Sequence, residues 1–247
     1  MARTTTAKRP SGQPKRPVTK PKARRATPPE RAQRDRGAET RAQLIEAALD
    51  VFGRQGFQGA STREIARVAG ANLAAIVYHF GGKEGLHLAV AEHVATSIGA
   101  KIGPTLAMVS DHNATNTPQT ARAALHRLVG TFIDVILGSA EAEHWARFIV
   151  REQMQPTAAF DIFYRLLGEG AVTNAARLFS VALQRTEDED IRIRVFTMLG
   201  QVLVFRVAQA LVLRRMGWKA VGETERTHIK RIVIGQIDDI LDAEEAA

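Results

Sequence analysis

From Glu39 onward, apolar residues recur every three to four positions, and nowhere does a strict alternation persist. A period of 3.6 collects such residues on one face of a helix, whereas a half-buried strand needs a period of two. No hairpin turn signal supplies a competing reading. The chain is therefore predicted to be all-α. Leu44, Ala48, Val51 and Phe52 share one face of a first helix, opposite Arg41, Glu46 and Asp50. Thr40 is placed to cap its start, and Gly56 to end it in a left-handed turn, after which Phe57 folds back as an apolar plug. Ser61 or Thr62 caps a short second helix whose narrow buried face is Ile65, Ala66 and Ala69. Gly70-Ala71-Asn72 forms a tight turn into a third helix, Leu73 to Phe80, with Ile76 and Phe80 inward. A fourth helix opens at Lys83 and runs to about Leu106, bent or ended near Gly103-Pro104. Five longer helices follow, over roughly 118–138, 141–154, 157–183, 188–216 and 224–242.

Two short helices joined by a tight turn and braced by a longer one make a helix-turn-helix unit. That geometry lets the second short helix enter the major groove while the first crosses the backbone. The third helix, "LAAIVYHF", suits this task, because small side chains bring its backbone close to base edges. Asn72, Leu73, Ala74, Ala75 and Tyr78 are the expected groove-facing set. Ala and Leu can meet a thymine methyl, and Asn72 a base edge or phosphate. Thr40, Thr62, Tyr78, His79 and Lys83 are candidate phosphate contacts; Thr62 and Lys83 sit at helix N-termini, which favour anions.

The stretch "ETRAQLIEAALDVFGRQGFQGASTREIARVAGANLAAIVYHFGGKEGL", residues 39–86, resembles the TetR family of bacterial transcriptional repressors. The resemblance rests on Phe52, Gly56-Phe57, Ser61-Thr62, Ile65-Ala66, Ala69-Gly70, His79-Phe80 and Lys83-Glu84, in that order and spacing. In one departure, Val77 stands where the family usually has Tyr, and the aromatic is shifted to Tyr78. "RFIVREQMQPTAAFDIFY", Arg147 to Tyr164, is similar to a CecR-like subfamily in its second domain. The resemblance implies three parts: a disordered basic tail over 1–36, a helix-turn-helix domain over 37–85 with its core motif at about 61–80, and a helical ligand-sensing and dimerisation domain over 86–247. It also implies a homodimer on a palindromic operator, released by a small amphiphilic or apolar effector.

Charge is unevenly distributed. Residues 1–36 hold twelve Lys and Arg against Glu30 and Asp35, a net +10, while the whole chain nets +8, so the remainder nets −2. Within residues 37–85, five basic and five acidic residues cancel. The tail is thus expected to supply much of the salt-dependent affinity for double-stranded DNA.

In the second part, the two last helices carry the widest apolar faces, with Ile191, Val195, Met198, Val202, Phe205 and Leu211 on one and Ile229, Ile232, Val233, Ile237 and Ile240 on the other. Two from each subunit can form a four-helix bundle. An effector pocket is expected among Trp145, Phe148, Arg151, Phe160, Phe163, Tyr164, Gln201, Phe205 and Gln209, a mainly apolar lining with few polar groups. Arg151, Glu152 and Arg206 need partners if buried.

The sequence speaks against other classes. It has no phosphate-binding loop, no GxSxG, no dinucleotide fingerprint and no cysteine, so no enzyme and no cofactor are expected. His87, His93, His126 and His144 lack metal-ligand spacing, so no metal is expected. No apolar run reaches the roughly 18 residues of a membrane span. The prolines at 10, 14, 17, 21, 28 and 29 oppose a helical transit peptide, and the absence of cysteine fits a cytoplasmic protein. The rival function is a ligand-independent architectural DNA-binding protein, for which the tail argues.

Overall fold

The computed structural model describes residues 28–138 and 140–245. The basic segment 1–27 lies outside the described residues. Met1–Gly37 and Ala38–Ala247 are two compact units; of the first, residues 28–37 are helical. Among the described residues there is no strand. The helices are α1 (Pro28–Gly59), α2 (Thr62–Val68), α3 (Leu73–Phe80), α4 (Lys83–Val109), α5 (Pro118–Leu137), α6 (Ala140–Met154), α7 (Phe160–Phe163), α8 (Thr173–Ala182), α9 (Glu189–Val207), α10 (Gln209–Met216) and α11 (Glu223–Glu245), with a π-helical segment, Tyr164–Val172, between α7 and α8.

The ends of these helices are written locally. Ser61 Oγ accepts from the Glu64 amide at 3.1 Å, and Asn72 Oδ1 from the Ala74 amide at 2.9 Å, so each short helix starts on a side-chain cap. Thr117 and Thr120 cap α5 reciprocally with Pro118 in its first turn, and Asp188 caps α9. Gly56, at φ 73°, breaks the helical path of α1 as the sequence predicts. Thr40 lies within α1, which begins at Pro28, so it is no N-cap and nine residues assigned to the tail are helical. The fourth helix runs through Pro104 to Val109 instead of ending there.

Two other spans differ from the expected ones. The stretch over 157–183 divides into α7, the π-helical segment and α8; the wider turn contains Gly168 and Gly170, and a Cβ on Gly168 would lie 3.0 Å from the Tyr164 ring. The stretch over 188–216 breaks at Ala208, where α10 departs from α9 by 78°. Neither Gly nor Pro marks that break. Nearby, Arg206 donates from Nε and Nη2 to the Ile136 carbonyl at 3.0 and 2.7 Å.

Leu44, Ala48, Val51 and Phe52 of α1, Ile65 and Ala66 of α2, Ile76 of α3 and Leu86 and Val90 of α4 are all buried in one continuous core. The central element is α5, which meets α4, α6, α8, α9 and α11. Polar clamps fasten α11 to it: Arg122 reaches Asp238 at 2.7 Å and Asp242 at 2.6 Å, and Lys230 reaches Asp134 at 2.6 Å.

Candidate nucleic-acid interface

Short helices cannot hold an angle alone; their buried faces must do it. In α3, Ile76 is buried and Phe80 half-buried against the core. The opposite side is Leu73, Ala74, Val77 and Tyr78, with Leu73, Val77 and Tyr78 exposed by 41%, 63% and 84%. At 100° per residue these four span about 140° of the helix. Ala75 turns inward, half-buried against the core, so Val77 and not Ala75 belongs to the outward stripe. Asn72 is exposed at the head of the stripe, its oxygen committed to the cap. His79 is half-buried, its ring 4.9 Å from Tyr78 and 6.0 Å from Phe80.

Around α3 stand Thr62 at the start of α2, half-buried, and the exposed Arg63 and Arg67. Lys83 opens α4 with its Nζ 4.7 Å over the Phe57 ring and 3.4 Å from the Gln58 carbonyl. Gly85 explains the "GGKEGL" joint: a Cβ there would fall 1.9 Å from the Phe80 carbonyl oxygen. Only glycine lets the end of α3 abut the start of α4 so closely.

A second joint, absent from the sequence reading, ties this unit to α6. His87 of α4 sits in a box of rings, 4.6 Å from Phe52, 4.8 Å from Phe57 and 5.0 Å from Phe148. Its Nε2 lies 3.3 Å from Glu152 Oε1, and Glu152, only 3% exposed, accepts through Oε2 from the Thr157 amide at 3.1 Å and hydroxyl at 2.8 Å. Burial, then the Lys83 charge, pushes the His87 ring down to about 4. It is neutral at pH 7, and the tautomer that suits a carboxylate neighbour carries its proton on Nε2. Arg151 Nη2 donates to the Arg54 carbonyl at 2.7 Å, beside the Gly56 turn. Thus Arg151, Glu152 and Arg206 all find the partners that burial requires.

The nine expected effector-pocket residues are not gathered around one cavity. Gln201 and Phe205 line a groove of about 480 Å³ with Val204, Met216, Trp218 and Ile232. Trp145 lines another, of about 560 Å³, with Glu46, His93, Lys101 and Glu141. Phe148 and Phe163 pack edge to face in the core, 5.9 Å apart, while Tyr164 is 53% exposed near Phe160. Arg151 serves α1, and Gln209 is half-buried at the start of α10. The spacing within α6 does report a shared face, but that face meets α1 and α4. A small apolar cavity of about 20 Å³ lies among Ile102, Leu128, Phe132, Ala175, Val195 and Met198. Among the described residues no three His, Asp or Glu side chains converge as a metal site, and no single helix is long and apolar enough to cross a membrane.

Two family models match the chain. Residues 44–90 match bacterial regulatory proteins of the tetR family, and residues 121–243 match the C-terminal domain of the HTH-type transcriptional dual regulator CecR. The CecR protein of Shigella flexneri is 35% identical over 211 residues, 83% of this chain and 93% of the relative. The chain belongs to the TetR family. Within it, this regulator falls in the CecR-like subfamily. Solved structures share the fold: a transcriptional regulator from Pseudomonas aeruginosa PAO1 superposes with a TM-score of 0.58 at 17% identity, covering 90% of this chain and 96% of its own. FadR of Bacillus subtilis, solved with stearoyl-CoA, gives 0.53 at 15% identity over 78% and 95%. These relatives are transcriptional regulators and not enzymes. In this TetR-family chain the reader was legible because caps and periodicity are local. Val77 was missed, although its i+4 spacing from Leu73 marks it for the same face.

Proposed function

We propose that the protein is a ligand-responsive repressor that binds a palindromic operator as a homodimer and is released by a small amphiphilic or apolar molecule. The observation that carries this reading is α3: anchored by Ile76 and Phe80, with Leu73, Ala74, Val77 and Tyr78 turned out to solvent. Phosphate contacts fall to Thr62, Tyr78, His79 and Lys83, which border that face. The family's regulatory role supports it, and the description of CecR as a dual regulator extends the reading to activation at some promoters.

The dimer seam is assigned to α9, α10 and α11, where Phe196, Val207 and Leu211 are exposed apolar side chains and Ile232 of α11 borders the groove described above. Pairing of these helices between two copies takes these side chains out of water. The effector is assigned to the groove of Gln201, Phe205 and Trp218, whose volume suits a drug-sized ligand and where Gln201 Oε1 is buried without a partner. Effector binding shifts the balance between two arrangements of the sensor helices. Two routes lead from there to the reader: α4 through Lys83 and Gly85, and α6 through Phe148, Arg151 and Glu152. A change in either alters the separation of paired α3 helices from the 34–36 Å of one DNA turn.

The test is sedimentation of the wild type and of Leu211→Asp, followed by operator titration with and without candidate effectors. A dimer that Leu211→Asp splits, together with sequence-specific binding reversed by a small molecule, supports the reading. Salt-sensitive binding to any duplex, indifferent to small molecules, establishes the architectural alternative.

A further inference from the structure

The side-chain inventory of α3 has a chemical consequence for the operator. Guanine in the major groove offers two acceptors, O6 and N7, and is read by Arg or Lys; adenine is read by the paired oxygen and nitrogen of Asn or Gln. The outward stripe of α3 has none of these. It presents the isobutyl of Leu73, the methyl of Ala74, the isopropyl of Val77 and the ring of Tyr78, whose hydroxyl is its one polar atom. Asn72 is the one amide nearby, and its Oδ1 is turned back onto the Ala74 amide, which removes half of the bidentate pattern adenine needs. The arginines of the reader lie on other elements, Arg63 and Arg67 on α2 and Arg41 and Arg54 on α1, with the Arg41 guanidinium 5.3 Å over the Phe80 ring and Arg54 paired with Asp50 at 2.8 Å. Lys83 is drawn to the Phe57 ring and the Gln58 carbonyl. The one major-groove feature that saturated carbon recognises is the 5-methyl group of thymine.

We propose that this regulator discriminates its operator through thymine methyl groups packed against Leu73, Ala74 and Val77, with Val77 a specificity-determining residue, and not through hydrogen bonds to guanine or adenine. This rests on α3 being the helix that enters DNA. The 5-methyl group is a property of the pyrimidine ring and not of its pairing. Uracil, which pairs as thymine does, is therefore rejected at the same positions, and 5-methylcytosine is accepted better than cytosine.

The experiment is selection by the full-length protein from a duplex library with a randomised core, followed by titration of the recovered duplex. Thymines in each half-site are then replaced singly by deoxyuridine. The expected result is a loss of about fourfold for each contacted methyl, the ~0.8 kcal/mol of one buried carbon. In Val77→Ala, an exposed change that leaves the fold intact, affinity for the thymine duplex falls and one deoxyuridine position becomes silent. Equal affinity for the thymine and the fully uracil-substituted duplex overturns the proposal while leaving the DNA-binding reading intact, as do half-sites invariant only at guanine. Enrichment of no sequence at all overturns both.

Discussion

His87 shows what a single residue contributes. Its ring is buried among Phe52, Phe57 and Phe148, where the charged form is penalised. Burial, and after it the Lys83 charge, act against the protonated ring. The folded-state pKa, about 4, lies below the ordinary 6.5. The unfolded chain therefore binds the proton first, and stability falls as pH drops from about 6.5 towards 4. At 1.36 kcal/mol per pKa unit the ceiling is roughly 3 kcal/mol. Thermal melts across that window are expected to show the loss, and His87→Gln to flatten it. The sequence marked His87 only as a histidine without metal spacing, because its neighbours come from two other helices, α1 and α6.

At the scale of elements, the reader depends on how α3 meets α4. Gly85→Ala places a Cβ where the Phe80 carbonyl oxygen sits, so the helices must part or tilt. The expected cost is about 1–3 kcal/mol, with a larger loss of operator affinity than of secondary structure. Calorimetry and operator titration on the same variant separate the two. The α6 joint has a different character. Arg151→Met removes the donor to the Arg54 carbonyl while keeping the apolar stem. A partly exposed charge-assisted bond is worth about 1 kcal/mol, or about 2–4 °C in melting temperature for a domain of this size. Operator binding without effector is expected to survive and release by effector to weaken, measured as the ratio of the two affinities. "RFIVREQMQPT" was legible as a motif; that its Arg, Phe and Glu reach back to α1 and α4 was not, because contacts between residues so far apart in the chain leave no local periodic trace.

For the whole molecule, the balance of charge separates affinity from specificity. Residues 37–85 are neutral overall, and the excess lies in the N-terminal segment. Because α1 begins at Pro28, the informative truncation removes residues 1–27 with their nine Lys and Arg and spares the helix. The slope of log affinity against log salt is expected to shallow by about 0.9 for each phosphate that those side chains neutralise. Base preference, carried by α3, is expected to stay the same. An unchanged slope would mean that the segment neutralises no phosphate.

What the sequence determined by itself is what needs about ten consecutive residues: the helical period, a cap at Ser61 or Thr62, the break at Gly56 and the inward pair Ile76 and Phe80 of α3. Each follows from backbone geometry and from hydrogen bonds two to four residues long. Only the tertiary structure decided which faces meet. It packed Phe148 against His87 and Phe163, placed Gln201 and Phe205 together with Trp218, bent the chain at Ala208 without a breaker residue, and set Gly85 against the Phe80 carbonyl. Such pairings depend on the angles at which whole helices dock, and those angles are fixed by the summed packing of residues far apart in the chain.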